Sequence, residues 1–123
     1  MKPMLFEPTT DLVIVQGESW HIQVECQDED GGVVDLTGYT AALKAREELN
    51  DTTNLIALAT GGAGITITAN LGLLDIVMTA AQTAALDFDS AYYEIELYKT
   101  ISDEPIVVKG PRGFIRLQAE VVT

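Results

Sequence analysis

The sequence predicts an all-β fold: an immunoglobulin-like β-sandwich of eight to nine short antiparallel strands with one short connecting helix at about residues 79–86. Three observations predict it. Ser19 to Cys26 alternates strictly, with Trp20, Ile22, Val24 and Cys26 on one side and Ser19, His21, Gln23 and Glu25 on the other, the period of a half-buried strand. Breaks rich in Gly, Asp and Asn recur at short intervals along the whole chain, as in sandwiches built from many short strands. Thr79–Leu86 is the one convincing helical piece.

Taken in order, residues 1–10, with two prolines and two threonines, read as an extended arm that orders against a partner. Residues 11–123 read as one sandwich domain. Asp11–Gln16 is the first strand, apolar on both faces and therefore expected to be covered on both sides. Gly17-Glu18 turns the chain into the Trp20 strand. Asp28-Glu29-Asp30-Gly31-Gly32 is a turn of residues that tolerate positive φ, and the Trp20 strand and the strand from Tyr39 read as a first hairpin. In that second strand Tyr39, Ala41, Leu43 and Ala45 share one face, and Thr40, Ala42, Lys44 and Arg46 the other. Helix competes over 41–49, since Ala, Leu, Lys, Arg and Glu are good helix formers, but the flanking β pattern favours strand.

Glu48–Asn54 is a polar loop with its turn at Asn50-Asp51. Leu55–Thr60 is a strand ended by Gly61-Gly62-Ala63-Gly64. Ile65-Thr66-Ile67-Thr68, a turn at 69–72 and Leu73–Met78 form a hairpin. In the helical piece, Thr79 with Gln82 three residues on makes a capping box, and Leu86 is the expected tertiary anchor. Ala91–Lys99 alternates again, with Tyr93, Ile95 and Leu97 inward and Tyr92, Glu94, Glu96 and Tyr98 outward. Ser102–Pro105 is a turn. Ile106–Lys109 is a strand, Gly110-Pro111-Arg112-Gly113 a further break, and 114–122 the closing strand, with Ile115, Leu117, Ala119 and Val121 on its buried side.

The composition of the 123 residues is that of a globular domain, 47% hydrophobic and 21% charged, a length that builds a core without disulfides or metals. The net charge of −12, from 19 acidic and 7 basic residues, argues against nucleic acid or an anionic membrane as partner, because both attract Lys and Arg. No apolar run approaches the roughly 20 residues of a membrane span, and the N-terminus lacks the apolar core of a signal peptide. Cys26 stands alone and reads as a buried structural thiol.

No catalytic, cofactor or metal site is expected. Asp28, Asp30 and Asp35 do not have EF-hand spacing and read as a solvated turn, although a cation there is left open. His21 is the single histidine and has no visible triad or zinc partners. Asp87, Asp89, Glu94 and Glu96 do not read as a glycosidase pair, and the Gly61–Gly64 run lacks the Lys and helix of a P-loop. The residues singled out are candidates for protein contact: Phe6 in the arm, Leu12 and Ile14 on the first strand, and His21, Tyr92 and Tyr98 on outward sheet positions. Exposed aromatics on a sheet face are typical of interaction surfaces, and an arm or edge strand can add to a neighbour's sheet.

The order of these motifs resembles the small β-sandwich structural proteins of tailed-phage virions, in particular the N-terminal domain of phage baseplate upper proteins. The residues that carry the resemblance are Gln16-Gly17-Glu18-Ser19-Trp20, Asp30-Gly31-Gly32 with Asp35-Leu36-Thr37-Gly38-Tyr39, Gly64-Ile65-Thr66-Ile67, Thr79–Leu86, Tyr92–Leu97 and Val108-Lys109-Gly110. The resemblance spans roughly residues 11–122. It implies a non-enzymatic virion structural protein, made in the host bacterial cytoplasm and joining tail, neck, baseplate or fibre components. The implied partners are other phage virion proteins, with the chain as a symmetric homo-oligomer or in multiple copies. The sequence closes with the sandwich, without a coiled coil or receptor-binding module, so an adaptor fits better than a fibre shaft. The alternatives are a capsid decoration (cement) protein and a carbohydrate-binding module that stacks sugars on its tyrosines.

Overall fold

The computed structural model describes residues 5–7, 11–48, 50–101 and 103–119. Among them nine strands form two sheets. They are β1 (Leu5–Glu7), β2 (Leu12–Val15), β3 (Trp20–Gln27), β4 (Thr40–Arg46), β5 (Ile56–Ala59), β6 (Ile65–Thr68), β7 (Leu73–Met78), β8 (Ser90–Ile101) and β9 (Glu104–Gln118), with helix α1 (Ala80–Ala84) between β7 and β8. A four-stranded sheet runs in the order β1-β3-β7-β6 and a five-stranded sheet in the order β2-β9-β8-β4-β5. The fold is all-β, as the alternation predicts. All pairs are antiparallel except one: β2 runs parallel to β9, with Leu12 opposite Ile115 and Ile14 opposite Leu117.

Each sheet buries one face, and the two buried faces share one apolar core. The four-stranded sheet supplies Trp20, Val24, Cys26, Ile65, Leu74, Ile76 and Met78. The five-stranded sheet supplies Leu12, Ile14, Ala41, Leu43, Ala45, Ile56, Leu58, Ala91, Tyr93, Ile95, Leu97 and Ile115. On β3, β4 and β8 these are the positions the period-2 pattern assigns inward, because neighbouring residues on a strand point to opposite faces. Burying each of the larger aliphatic side chains contributes on the order of 1.5–3 kcal/mol. The stretch 41–46 resolves as strand, since only a strand puts Ala41, Leu43 and Ala45 on one buried face; Glu47 and Glu48 follow outside the strand, and Leu49 lies outside the described residues.

Several expectations need correction. The Trp20 strand and the Tyr39 strand do not form a hairpin. β3 pairs with β1 and β7, whereas β4 pairs with β5 and β8 in the other sheet. The connection crosses the core, and Leu36, 1% exposed, is the residue it leaves inside. The first strand is not covered on both sides: Leu12 and Ile14 are buried, but Val13 is 44% exposed, because β2 is an edge strand with an outer face. The break at Gly110–Gly113 is not a break. Residues 104–118 form one strand, β9, with a register shift opposite Glu94 and Glu96. Of the N-terminal arm, Leu5–Glu7 pairs with β3 as β1; its other residues lie outside the described residues, as does Val121. Ala119 is exposed.

The capping box is present. Thr79 Oγ1 accepts from Gln82 N at 3.1 Å, and Gln82 Oε1 accepts from Thr79 N at 2.7 Å. The anchor of α1 is Thr83, which is fully buried, while Leu86 packs partly buried on the core. Thr83 Oγ1 accepts from Gly17 N at 3.0 Å and donates to Glu18 O at 2.8 Å. The helix is thus fastened to the turn between β2 and β3. Trp20 adds a second tie between the sheets, its Nε1 donating to Val13 O at 3.2 Å.

Candidate functional site

The outer face of the five-stranded sheet carries a groove of about 610 Å³ over β4, β8 and β9. Strand register sets four cross-strand rows on this face, of which Thr40 and Val107 lie outside the groove lining. Thr40, Tyr98 and Val107 form the first, Ala42, Glu96 and Lys109 the second, Lys44, Glu94 and Arg112 the third, and Arg46, Tyr92 and Phe114 the fourth. Side chains in such rows lie close enough to interact directly.

The bulge in β9 decides which residues these are. Between the second and third rows β8 advances two residues, Glu96 to Glu94, while β9 advances three, Lys109 to Arg112. Two residues on β9 therefore oppose one on β8, which reverses the inward and outward parity of the strand. Pro111 lies in this stretch and has no N–H to donate to a ladder. With regular alternation Lys109 and Arg112 would point to opposite faces. With the bulge both line the groove.

The middle of the groove is an ion-pair network. Lys109 Nζ lies 3.2 Å from Glu94 Oε1 and also bonds Glu96. The Tyr98 hydroxyl donates to the same Glu96 carboxylate. Arg112 Nη1 lies 3.6 Å from Glu94 Oε2. The hydrogen bond from Lys109, followed by that from Tyr98, holds the Glu96 carboxyl down at about 2, and the same contact raises Lys109. Donation to Glu96 raises the Tyr98 hydroxyl. One end of the groove is aromatic: the Tyr92 and Phe114 rings sit 4.5 Å apart at 40°, a tilted pair of the favourable kind, with Phe114 45% exposed. Arg46 closes that end and holds residues 51–54, donating from Nη1 to Asp51 O at 2.7 Å and from Nε to Asn54 Oδ1 at 2.9 Å.

The structure brings Tyr92 and Tyr98 together in this groove and separates them from His21, which is exposed on the outer face of the four-stranded sheet. There His21 Nε2 lies 3.0 Å from Asp75 Oδ1, and Gln23 Nε2 donates to the same oxygen at 3.1 Å. These bonds, that of His21 first, lower the Asp75 carboxyl. Leu12 and Ile14 belong to the core, 8% and 0% exposed, so their side chains are not contact surface; Val13 is the exposed residue of β2. Phe6 lies in β1, outside the residues whose side chains are described.

The Asp28 turn is self-capped. Asp28 Oδ1 accepts from Asp30 N at 2.9 Å and Gly32 N at 2.8 Å. Asp35 Oδ1 accepts from Thr37 Oγ1 at 2.6 Å and Thr37 N at 2.9 Å, and these bonds lower its carboxyl. Among the described residues no group of three or more His, Cys, Asp or Glu is placed to hold a metal ion.

Sequence reasoning missed Lys44, Arg46, Lys109, Arg112 and Phe114 as site residues. A signal for the last three was present. Ile106 and Val108 are inward at even positions, Ile115 and Leu117 inward at odd ones, and a change of parity across a Gly-Pro is what a bulge writes into a sequence. No protein-family model matches the chain, and no curated protein matches it.

Proposed function

We propose that this chain is a non-enzymatic structural protein of a tailed-phage virion, an adaptor in the tail, neck, baseplate or fibre attachment that works through protein–protein contacts. The observation that carries the contact role is the groove on the five-stranded face. It combines tyrosine and arginine, residue types enriched at the energetic centres of protein interfaces, with phenylalanine, which is enriched in interfaces generally, on one sheet face. Its carboxylates are engaged by Lys109, Arg112 and Tyr98. An ion-paired carboxyl held at about 2 is poorly suited to general acid–base work near neutrality, which needs a pKa near the operating pH.

The finer fold belongs to the same proposal: the two sheets form an immunoglobulin-like sandwich. Strand order supports it. β1, β3, β7 and β6 take the places of strands A, B, E and D, and β9, β8, β4 and β5 those of G, F, C and C′. The placement in a virion is supported by the ordered motifs from Gln16 to Gly110 described above.

The test is mass spectrometry of purified particles together with copy number. A tail or baseplate adaptor is present in intact virions at a dozen or fewer copies. Hundreds of copies would indicate capsid decoration, and absence from intact particles would overturn the virion role.

A further inference from the structure

The chain's few cations are not spread over its surface. Of the 7 Lys and Arg, five occupy outward positions of the five-stranded sheet: Lys44, Arg46, Lys109, Arg112 and Arg116, the last opposite Ser90 and Val13. Only Glu94 and Glu96 oppose them on those strands, with Asp11 at the margin, its Oδ1 accepting from Phe114 N at 3.0 Å. A protein of net charge −12 thus presents one locally cationic sheet face. The outward positions of the other sheet are the reverse. On β3, β6 and β7 they include no Lys or Arg, and Glu25 and Asp75 carry the charge.

We propose that the cationic face of the five-stranded sheet docks on the acidic outer face of the four-stranded sheet of a second copy of this chain, head to tail. The inference rests on the reading of the groove as a protein-contact surface and names its occupant. Charge complementarity selects the arrangement, since complementary potentials steer partners together and like-charge juxtaposition opposes docking. Pairing two cationic faces about a twofold axis would set five cations and the carboxylates of Glu94 and Glu96 against the same set, with positive charge in excess on both sides. Pairing the two different faces sets Lys44, Arg112 and Arg116 against Glu25 and Asp75. A contact between two different patches is heterologous, so it propagates into a closed ring or an open stack rather than stopping at a dimer.

The test is a charge swap read by analytical ultracentrifugation. The wild-type chain at low salt rises above its 13.3 kDa monomer mass with increasing concentration, beyond the dimer, and returns to the monomer in 1 M salt, where screening acts within about 3 Å. Lys44→Glu/Arg116→Glu, which leaves the Lys109 and Arg112 ion pairs in place, is monomeric at low salt. So is Glu25→Lys/Asp75→Lys, and an equimolar mixture of the two variants assembles again. Should the Asp75 variant fail to fold by circular dichroism, Glu25→Lys/Thr66→Lys tests the same face with the His21–Asp75 contact intact. A wild-type chain that stays monomeric at low salt, variants that assemble as the wild type does, or a mixture of folded variants that stays monomeric would each overturn the inference. A monomeric wild type that is nonetheless found in purified virions overturns self-docking and leaves the adaptor reading standing.

Discussion

Thr83 is the single polar side chain among the described residues that the fold buries completely, and its hydroxyl serves two backbone groups at once, Gly17 N–H and Glu18 C=O. A buried group that loses its partner costs roughly 1–3 kcal/mol. Thr83→Val keeps the shape and removes the hydroxyl, so it should lower stability by about that amount, seen as a reduced urea midpoint with an unchanged slope. Thr83→Ser, which keeps the hydroxyl, should lose less than the valine variant; an equal loss would show that packing, not hydrogen bonding, holds α1. The capping box of this helix was legible from Thr79 and Gln82, because both partners lie within one turn. Thr83 was not, because its partners are more than sixty residues away in sequence.

Among the elements, the β6–β7 connection is tightly constrained. A 3₁₀ turn at Ala69–Leu71 ends on Gly72, at φ +63. A Cβ there would meet Val34 O at 2.8 Å and Cys26 O at 2.9 Å, backbone atoms that cannot swing aside. Gly72 O also accepts from Cys26 N at 2.7 Å, so a shift of the turn would disturb β3 as well. Gly62, at φ +91, has nothing within 4 Å. Placing a Cβ in left-handed backbone costs roughly 1–2 kcal/mol by itself. Gly62→Ala should therefore lose about that much and Gly72→Ala clearly more, measured side by side by thermal unfolding; equal losses would remove the steric argument. The β6–β7 hairpin itself was readable from its β-branched run and turn. The β9 bulge was not read, because a Gly-Pro between two apolar runs fits a loop as well as a register shift, and only pairing with β8 separates the two.

At the scale of the molecule, Cys26 reports on opening of the whole core. It is fully buried, and burial, with the neighbouring Glu25 charge, pushes its thiol up to about 12 from an ordinary 9.0. The sign follows from proton uptake: the folded state holds the proton more tightly than the unfolded one. The contribution of this group to stability is therefore complete below about 9 and is lost as pH rises toward about 12. Under native conditions a thiol reagent should modify Cys26 only through unfolding, with a rate that rises in step with the unfolded fraction as urea is added. Fast modification without urea would mean that the β3–β7 region opens locally.

Local residue pattern was enough to read the all-β class, the inward residues of β3, β4 and β8, the β6–β7 hairpin and the capping box. All of these depend on period-2 alternation or on partners within a few residues. It did not determine which strands share a sheet, that β2 runs parallel to β9, or that the segment after β3 crosses the core instead of returning beside it. Nor did it show that Lys44, Arg46, Lys109, Arg112 and Arg116 converge on one face. Those features depend on pairings between distant segments. A one-residue shift in such a pairing sends every following side chain to the other face, and here the β9 bulge makes that shift.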